Sequence, residues 1–201
     1  FTEDYQFLTK SARLSHDEIL RIASIAVRQG VSKLRITGGE PLLDKKVTGL
    51  VARLRDLPGV EDLALTTNGV LLAPVAAGLA AAGLQRVTIS LDSVDEKIFA
   101  AMSGNRGHIN KVLEGITAAD RAGLSPIKIN VVVQRGVNDH TLLDTLAHFR
   151  GTGHIVRFIE FMDVGSRNGW SMEQVVPSKD VLEQVNARWP VRAVNRNYPG
   201  E

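Results

Sequence analysis

Short apolar runs alternate with amphipathic stretches along most of the chain, and turns that contain glycine or proline separate them. The first amphipathic stretch opens at Ser15, where Glu18 completes a capping box, and it ends at Gly30. The apolar runs predict five strands, at residues 33–37, 62–66, 86–91, 127–134 and 156–161. Further helices are predicted at residues 45–55, 74–82, 95–102, 109–122, 138–150 (capped by Asn138 and Asp139) and 177–186.

The strict order of strand and then helix predicts an α/β fold of parallel strands joined by right-handed crossovers. Such strands form either an open doubly wound sheet or a (βα) barrel. A complete eight-fold barrel needs about 250 residues, and this chain has 201. Five strands therefore indicate a partial barrel with outer helices or an open sheet, within one domain at residues 1–188. Residues 189–201 have weak periodicity and are expected to begin a further, truncated segment.

Polar residues collect where the predicted strands end, which is where parallel α/β folds bind ligands. They are Thr37 to Pro41, Thr66 to Gly69, Ser90, Asp92, Ser93, Glu160, Met162 and Asp163. Gly38 and Gly39 let a ligand approach the backbone, although an ordinary tight turn would also use them. The clustering predicts an active site at this rim.

Basic residues lie within three of the predicted strands, at Lys33, Arg35, Lys128 and Arg157. Parallel strands are usually apolar on both faces, so cations that face a barrel interior need an anionic partner. A bound triphosphate or an internal carboxylate such as Glu160 would serve. The alternative is an edge strand whose basic side chains are solvated.

The composition limits the chemistry further. The chain has no cysteine, which excludes disulfides, thiolate zinc sites and cysteine-bound iron–sulfur clusters within these residues. His16, His108 and His140 are not spaced as metal ligands, so no metal-binding residue is predicted. The net charge is +2, and no run of five like charges indicates a nucleic-acid partner. No apolar stretch approaches the ~20 residues of a membrane span, and no leader is visible, so a soluble, cytoplasmic protein is expected.

An ordered series of motifs spans nearly the whole chain. The strings are KLRITGGEPLL at 33–43, LTTNG at 65–69, SLDS at 90–93, KINVVV at 128–133, ND at 138–139, RFIEFMDVG at 157–165 and NGW at 168–170. The series resembles the radical S-adenosylmethionine (SAM) superfamily, and more narrowly its GTP 3′,8-cyclases of molybdenum-cofactor biosynthesis. The resemblance implies a partial radical SAM barrel.

The resemblance also implies roles for individual residues. SAM would be bound by Gly38, Gly39, Glu40, Pro41, Ser90 and Met162, so Gly39, Ser90 and Met162 are expected to converge on one cleft. GTP would be bound by Arg35, Thr66 and Lys128, with Lys33 and Arg157 nearby. In this family a reduced cluster cleaves SAM to a radical that takes a hydrogen from the ribose of GTP. The base then closes onto the sugar to give (8S)-3′,8-cyclo-7,8-dihydroguanosine 5′-triphosphate.

The chain departs from the family in its cysteines. The family carries a C-x3-C-x2-C loop before the matching segment and three cysteines after it, and these hold two [4Fe–4S] clusters. The chain is therefore expected to be the middle of a longer enzyme and to be inactive alone. The alternatives are a peptide-modifying radical SAM enzyme, which the string at 157–165 disfavours, and a non-enzymatic α/β domain that binds a phosphate ligand. The sequence leaves open whether the protein forms a homodimer.

Overall fold

The predicted alternation of strands and helices is present in the computed structural model, which describes residues 13–105, 107–164 and 169–194. The strands are β1 Lys33–Ile36, β2 Asp62–Thr67, β3 Arg86–Ser90, β4 Lys128–Val133 and β5 Ile155–Glu160. The helices are α1 His16–Arg28, α2 Val47–Arg55, α3 Ala76–Ala81, α4 Glu96–Ser103, α5 Ile109–Arg121, α6 Leu142–Phe149 and α7 Ser178–Arg188. Short 3₁₀ turns occupy Pro41–Leu43, Asp139–Thr141 and Met172–Gln174. Gly165 and Asn168 of the motif series lie outside the described residues, as do both chain ends.

The five strands form one sheet in the order β1-β2-β3-β4-β5, and every neighbouring pair is parallel. Right-handed crossovers that always advance in one direction place all the connecting helices on one face of the sheet. A doubly wound sheet instead reverses its strand order part of the way along the chain. The winding is therefore that of a (βα) barrel, and the partial barrel with outer helices is confirmed.

One face of the sheet is buried under the helices. Its side chains come from alternate positions of each strand, and the most buried of them are Leu63, Leu65, Val87, Ile89, Ile129 and Val131. Each such aliphatic side chain stabilises the fold by about 1.5–3 kcal/mol relative to its exposed state. The longest helices of the described part, α1 and α5, have 13 residues each. In that part of the chain no helix is long and apolar enough to cross a membrane.

The helix predicted at residues 138–150 differs from the observed one at its start. Asn138 is fully buried and makes no side-chain capping bond, and a 3₁₀ turn separates it from α6. Its side-chain amide instead donates to the carbonyl oxygens of Asp92 and Val132, each at 2.8 Å. The prediction that Asn138 caps this helix is wrong, because the amide joins the ends of two strands.

Candidate active site on the polar face and the rim of the sheet

The face of the sheet opposite the helices is polar. Because alternate residues of a strand share a face and registered partners lie side by side, its members follow from the strand pairing. Arg35 is registered with Ala64 and then Arg86, and Thr66 is registered with Thr88 and then Lys128. The polar and charged residues on this side of the sheet are called the polar face: Lys33, Arg35, Asp62, Thr66, Arg86, Thr88, Ser90, Lys128, Asn130 and Arg157. Its five cations and one carboxylate give it a net charge of +4.

Arg35 is anchored across three strands by neutral partners. Its Nη1 donates to the hydroxyl of Thr66 at 3.0 Å and to the hydroxyl of Thr88 at 2.9 Å. Thr88 is only 3% exposed, so the guanidinium lies close to the sheet. Hydroxyl groups orient a guanidinium without neutralising its charge, which arginine always carries in proteins. Arg35 is therefore oriented to meet an anion on the polar face.

Arg86 has a different role on the same face. Its guanidinium makes a two-pronged contact with the Asp62 carboxylate, with Nε to Oδ1 at 3.0 Å and Nη2 to Oδ2. Fork-shaped pairs of this kind orient both side chains as well as pairing their charges. The charge of Arg86 is therefore paired within the protein by Asp62.

Glu160 does not lie on the polar face. Arg157 is registered with Asn130, so Glu160, three residues further along β5, points to the opposite side. Its Oε1 accepts from the amide and the hydroxyl of Ser178, at 2.6 and 2.7 Å, where α7 begins. The hydroxyl first and then the amide lower the pKa of Glu160. Of the two partners considered for the strand cations, Glu160 is therefore excluded.

The turn after β1 is fixed to the turn after β2 by Glu40. One oxygen of its carboxylate accepts from the Thr67 hydroxyl at 2.7 Å and from the Leu42 amide at 3.0 Å. The other accepts from the Asn68 amide at 2.7 Å. A Cβ built on Gly38 would have no heavy atom within 4 Å, so the backbone of this turn borders open space. A ligand can therefore approach the turn that contains Gly38 and Gly39.

Ser90, the last residue of β3, is registered with Asn130, which lies within β4. The Asn130 Oδ1 atom is buried and has no hydrogen-bond partner. A buried acceptor without a donor costs about 1–3 kcal/mol, so it indicates a place where a ligand or a water donates. Asn130 is part of the string KINVVV, but neither the sequence pattern nor the resemblance assigns it a role. Thr88 was also missed. Thr88 lies two residues after Arg86, and Asn130 lies two residues after Lys128, so the alternation of side chains along each strand places both on the face that holds Arg35.

Beyond Ser90, side chains hold the end of β3 to β4. The Asp92 carboxylate accepts from the Val132 amide at 2.8 Å, and the Asn138 side-chain amide donates to the Asp92 carbonyl oxygen at 2.8 Å. Burial raises the pKa of Asp92, and the bond from Val132 opposes that rise. These contacts extend the pairing of the two strands, which fixes the rim beside Ser90.

The predicted site residues lie at three heights on the sheet. Thr66 and Lys128 share one register row, and Arg35 reaches that row through its bond to Thr66. Ser90 and Arg157 lie one row nearer the carboxyl ends, both registered with Asn130. Lys33 is registered with Asp62 and lies furthest from the rim.

The turn of Gly38, Gly39, Glu40 and Pro41 directly follows β1, and Met162 follows β5 with 54% of its surface exposed. Since the strands are parallel, Gly39, Ser90 and Met162 all lie at the same edge of the sheet. Their convergence on one ligand stays a prediction.

An apolar groove lies on the other side of the sheet, between β5, α6 and α7. Phe158, Val181 and Val185 line it, together with Glu160 and Ser178. Its described lining contains no basic side chain. The polar face is therefore the better place for an anionic ligand.

Comparison with known proteins identifies the class. The family described as the radical SAM superfamily matches residues 2–149. The fold agrees with solved radical SAM structures: a methylornithine synthase superposes with a TM-score of 0.68 at 15% identity, covering 89% of this chain and 54% of that one. Coproporphyrinogen III oxidase from Escherichia coli, described as a radical SAM enzyme, gives a TM-score of 0.63 at 13% identity, covering 86% of this chain and 45% of that one. The chain belongs to the radical SAM superfamily.

More similar relatives within this class carry the name GTP 3′,8-cyclase. The protein from Xanthomonas axonopodis pv. citri is 52% identical over 199 residues, which cover 99% of this chain and 59% of the relative. The protein from Acidothermus cellulolyticus is 48% identical over 201 residues, covering 100% of this chain and 56% of the relative. The chain thus spans less than three-fifths of the length of these relatives.

The superfamily implies SAM and a [4Fe–4S] cluster, and the residues fit these two groups differently. The chain has no cysteine, so a cluster held by thiolates does not fit these 201 residues. Across residues 13–105, 107–164 and 169–194, no group of three or more His, Asp or Glu side chains is arranged to hold a metal ion. SAM does fit, because the backbone at Gly38 is open and Asn130 offers a buried acceptor beside the carboxyl end of β3.

Proposed function

We propose that this chain is the sheet core of a GTP 3′,8-cyclase, in which the rim binds SAM and the polar face binds GTP. The relatives that share about half of its residues carry that name. The observation that carries the proposal is Arg35, a guanidinium oriented by two hydroxyls on a face with a net charge of +4. A nucleoside triphosphate supplies an anionic partner for the Arg35 guanidinium.

Each part of the site then has a defined task. Arg35, Thr66 and Lys128 bind GTP in the middle of the sheet, with Lys33 and Arg157 adding positive charge on either side. The turn from Gly38 to Pro41, Ser90 and Met162 hold SAM at the rim. SAM supplies radical chemistry when it binds beside a [4Fe–4S] cluster, whose cysteine ligands are not among these residues. The chain itself orients the two ligands and shields the space between them.

A chimera tests the activity. In the Xanthomonas axonopodis relative, the region that matches this chain is replaced by these 201 residues, and the product is assayed without oxygen in the presence of SAM and a reductant. We expect GTP to be consumed and a 3′,8-cyclised product to form. The matched control carries Arg35→Ala, which should lower kcat/KM for GTP by about ten-fold or more. A folded chimera that binds SAM but leaves GTP unchanged would contradict the proposal.

A further inference from the structure

We infer that Glu40 is a positioning residue, which holds the SAM-binding turn in place without contacting the cofactor itself. The identity of the ligand rests on the proposed function, whereas the role of Glu40 rests on its own contacts. The inference changes the role that the resemblance implies for this residue, which is a direct contact with SAM.

Most of the acceptor positions of the Glu40 carboxylate are already used by the protein. An ionised carboxylate offers about four acceptor positions on its two oxygens. Oε1 accepts from the Thr67 hydroxyl and the Leu42 amide, and Oε2 accepts from the Asn68 amide, at 2.7–3.0 Å. Three of the four positions are therefore used by the protein.

The three donors belong to two different turns. Leu42 follows the turn after β1, whereas Thr67 ends β2 and Asn68 follows it. Thr67 is 2% exposed, and its hydroxyl oxygen also accepts from the Gly69 amide at 3.0 Å. Glu40 thus connects the turn containing Gly38 and Gly39 to a buried threonine that no ligand on the surface can touch.

The chemistry requires a carboxylate at this position. All three partners donate, so every position on the two oxygens that they meet must accept. A glutamine in place of Glu40 would direct an NH₂ group at an N–H or O–H donor, which breaks at least one bond. The turn would then lose its attachment although the side chain keeps its size.

The test compares Glu40→Gln, Thr67→Val and the double variant with the unsubstituted chimera described above. Thr67→Val removes the buried donor to Glu40 and leaves the carboxylate in place. Glu183→Gln, an exposed position on α7, is the matched control. Two quantities are measured: the affinities for SAM and GTP by calorimetry, and amide hydrogen exchange at Leu42 and Asn68 in the ligand-free protein.

A positioning role predicts that both single variants weaken SAM binding by a similar factor of about five to ten. The double variant should bind no more weakly than Glu40→Gln alone, because the two residues act through one contact. GTP affinity should stay within about two-fold in all variants, which separates positioning from general loss of structure. Exchange at Asn68 should quicken in Glu40→Gln and not in Glu183→Gln.

Two results would overturn the inference. One is a Thr67→Val variant that keeps full SAM affinity while Glu40→Gln loses it, since this pattern indicates direct contact. The other is unchanged exchange at Leu42 and Asn68 in Glu40→Gln, which would show that the carboxylate does not hold the turns. If the unsubstituted chimera binds no SAM, the proposed function fails, and the exchange experiment still decides the role of Glu40.

Discussion

Replacing Arg35 with alanine is expected to weaken GTP binding by about ten-fold or more, because a hydrogen bond to a charged group contributes about 1.5–3 kcal/mol. Arg35 is held on the polar face by Thr66 and Thr88 and carries a permanent charge. Lys128→Ala should have a similar effect, since Lys128 lies in the register row of those two threonines. The affinity for SAM should change much less. Calorimetry on the folded chimera with each substitution, in which the flanking cysteine segments are present, measures both affinities.

The matched control for these variants is Arg53→Ala. Arg53 lies on α2, on the helix side of the sheet, and pairs with Asp17 at 2.7 Å. Its removal also deletes one positive charge, but GTP affinity should stay within about two-fold, because an exposed pair is worth little and solvent screens it. If Arg35→Ala and Lys128→Ala both leave GTP affinity unchanged with the fold intact, these cations are structural and the GTP assignment fails.

Replacing Gly115 with alanine is expected to destabilise the protein, although alanine is usually the better helix former. Gly115 lies within α5, and a Cβ there would meet the Gly69 carbonyl oxygen at 2.6 Å and the Leu72 Cβ at 3.1 Å. The first contact is to backbone, so the helix or the turn must move. Overpacking costs about 1–3 kcal/mol, and the helix preference for alanine returns about 1 kcal/mol. The net loss of up to about 2 kcal/mol should lower Tm by up to about 8 °C.

Gly49→Ala is the control for this substitution. Gly49 also lies inside a helix, α2, but a Cβ there would have no heavy atom within 4 Å. Alanine should therefore raise the free energy of unfolding by up to about 1 kcal/mol. Denaturant unfolding of the two variants should give changes of opposite sign. A stabilising Gly115→Ala variant would mean that α5 does not approach the turn after β2 as closely as described.

The number of strands and their positions along the chain could be predicted from the sequence, because the period of apolar residues is a local property. Their parallel direction followed from the helix that separates each strand from the next. The choice between a partial barrel and an open sheet could not be made from that pattern. It depends on which strands become neighbours, and here the unbroken order from β1 to β5 decides it. The family resemblance supplied the same answer independently.

Part of the candidate site could also be predicted from the local sequence. Arg35 and Lys128 stand out because a charge inside a parallel strand is unusual, and strand pairing places both on one face. The partners of Glu160 and Asn138 were not predictable. Glu160 bonds to Ser178, and Asn138 bonds to Asp92, far away in the sequence. Such contacts follow from packing and not from local pattern.

The central claim is that GTP binds to the polar face of the sheet. The most direct test is a titration of the isotope-labelled chain with GTP, followed by nuclear magnetic resonance of its backbone amides. If GTP binds there, the signals of Arg35, Thr66, Thr88 and Lys128 shift together with one affinity. The signals of the residues that line the groove between α6 and α7 stay in place. Shifts confined to that groove, or no shifts at millimolar GTP, would contradict it.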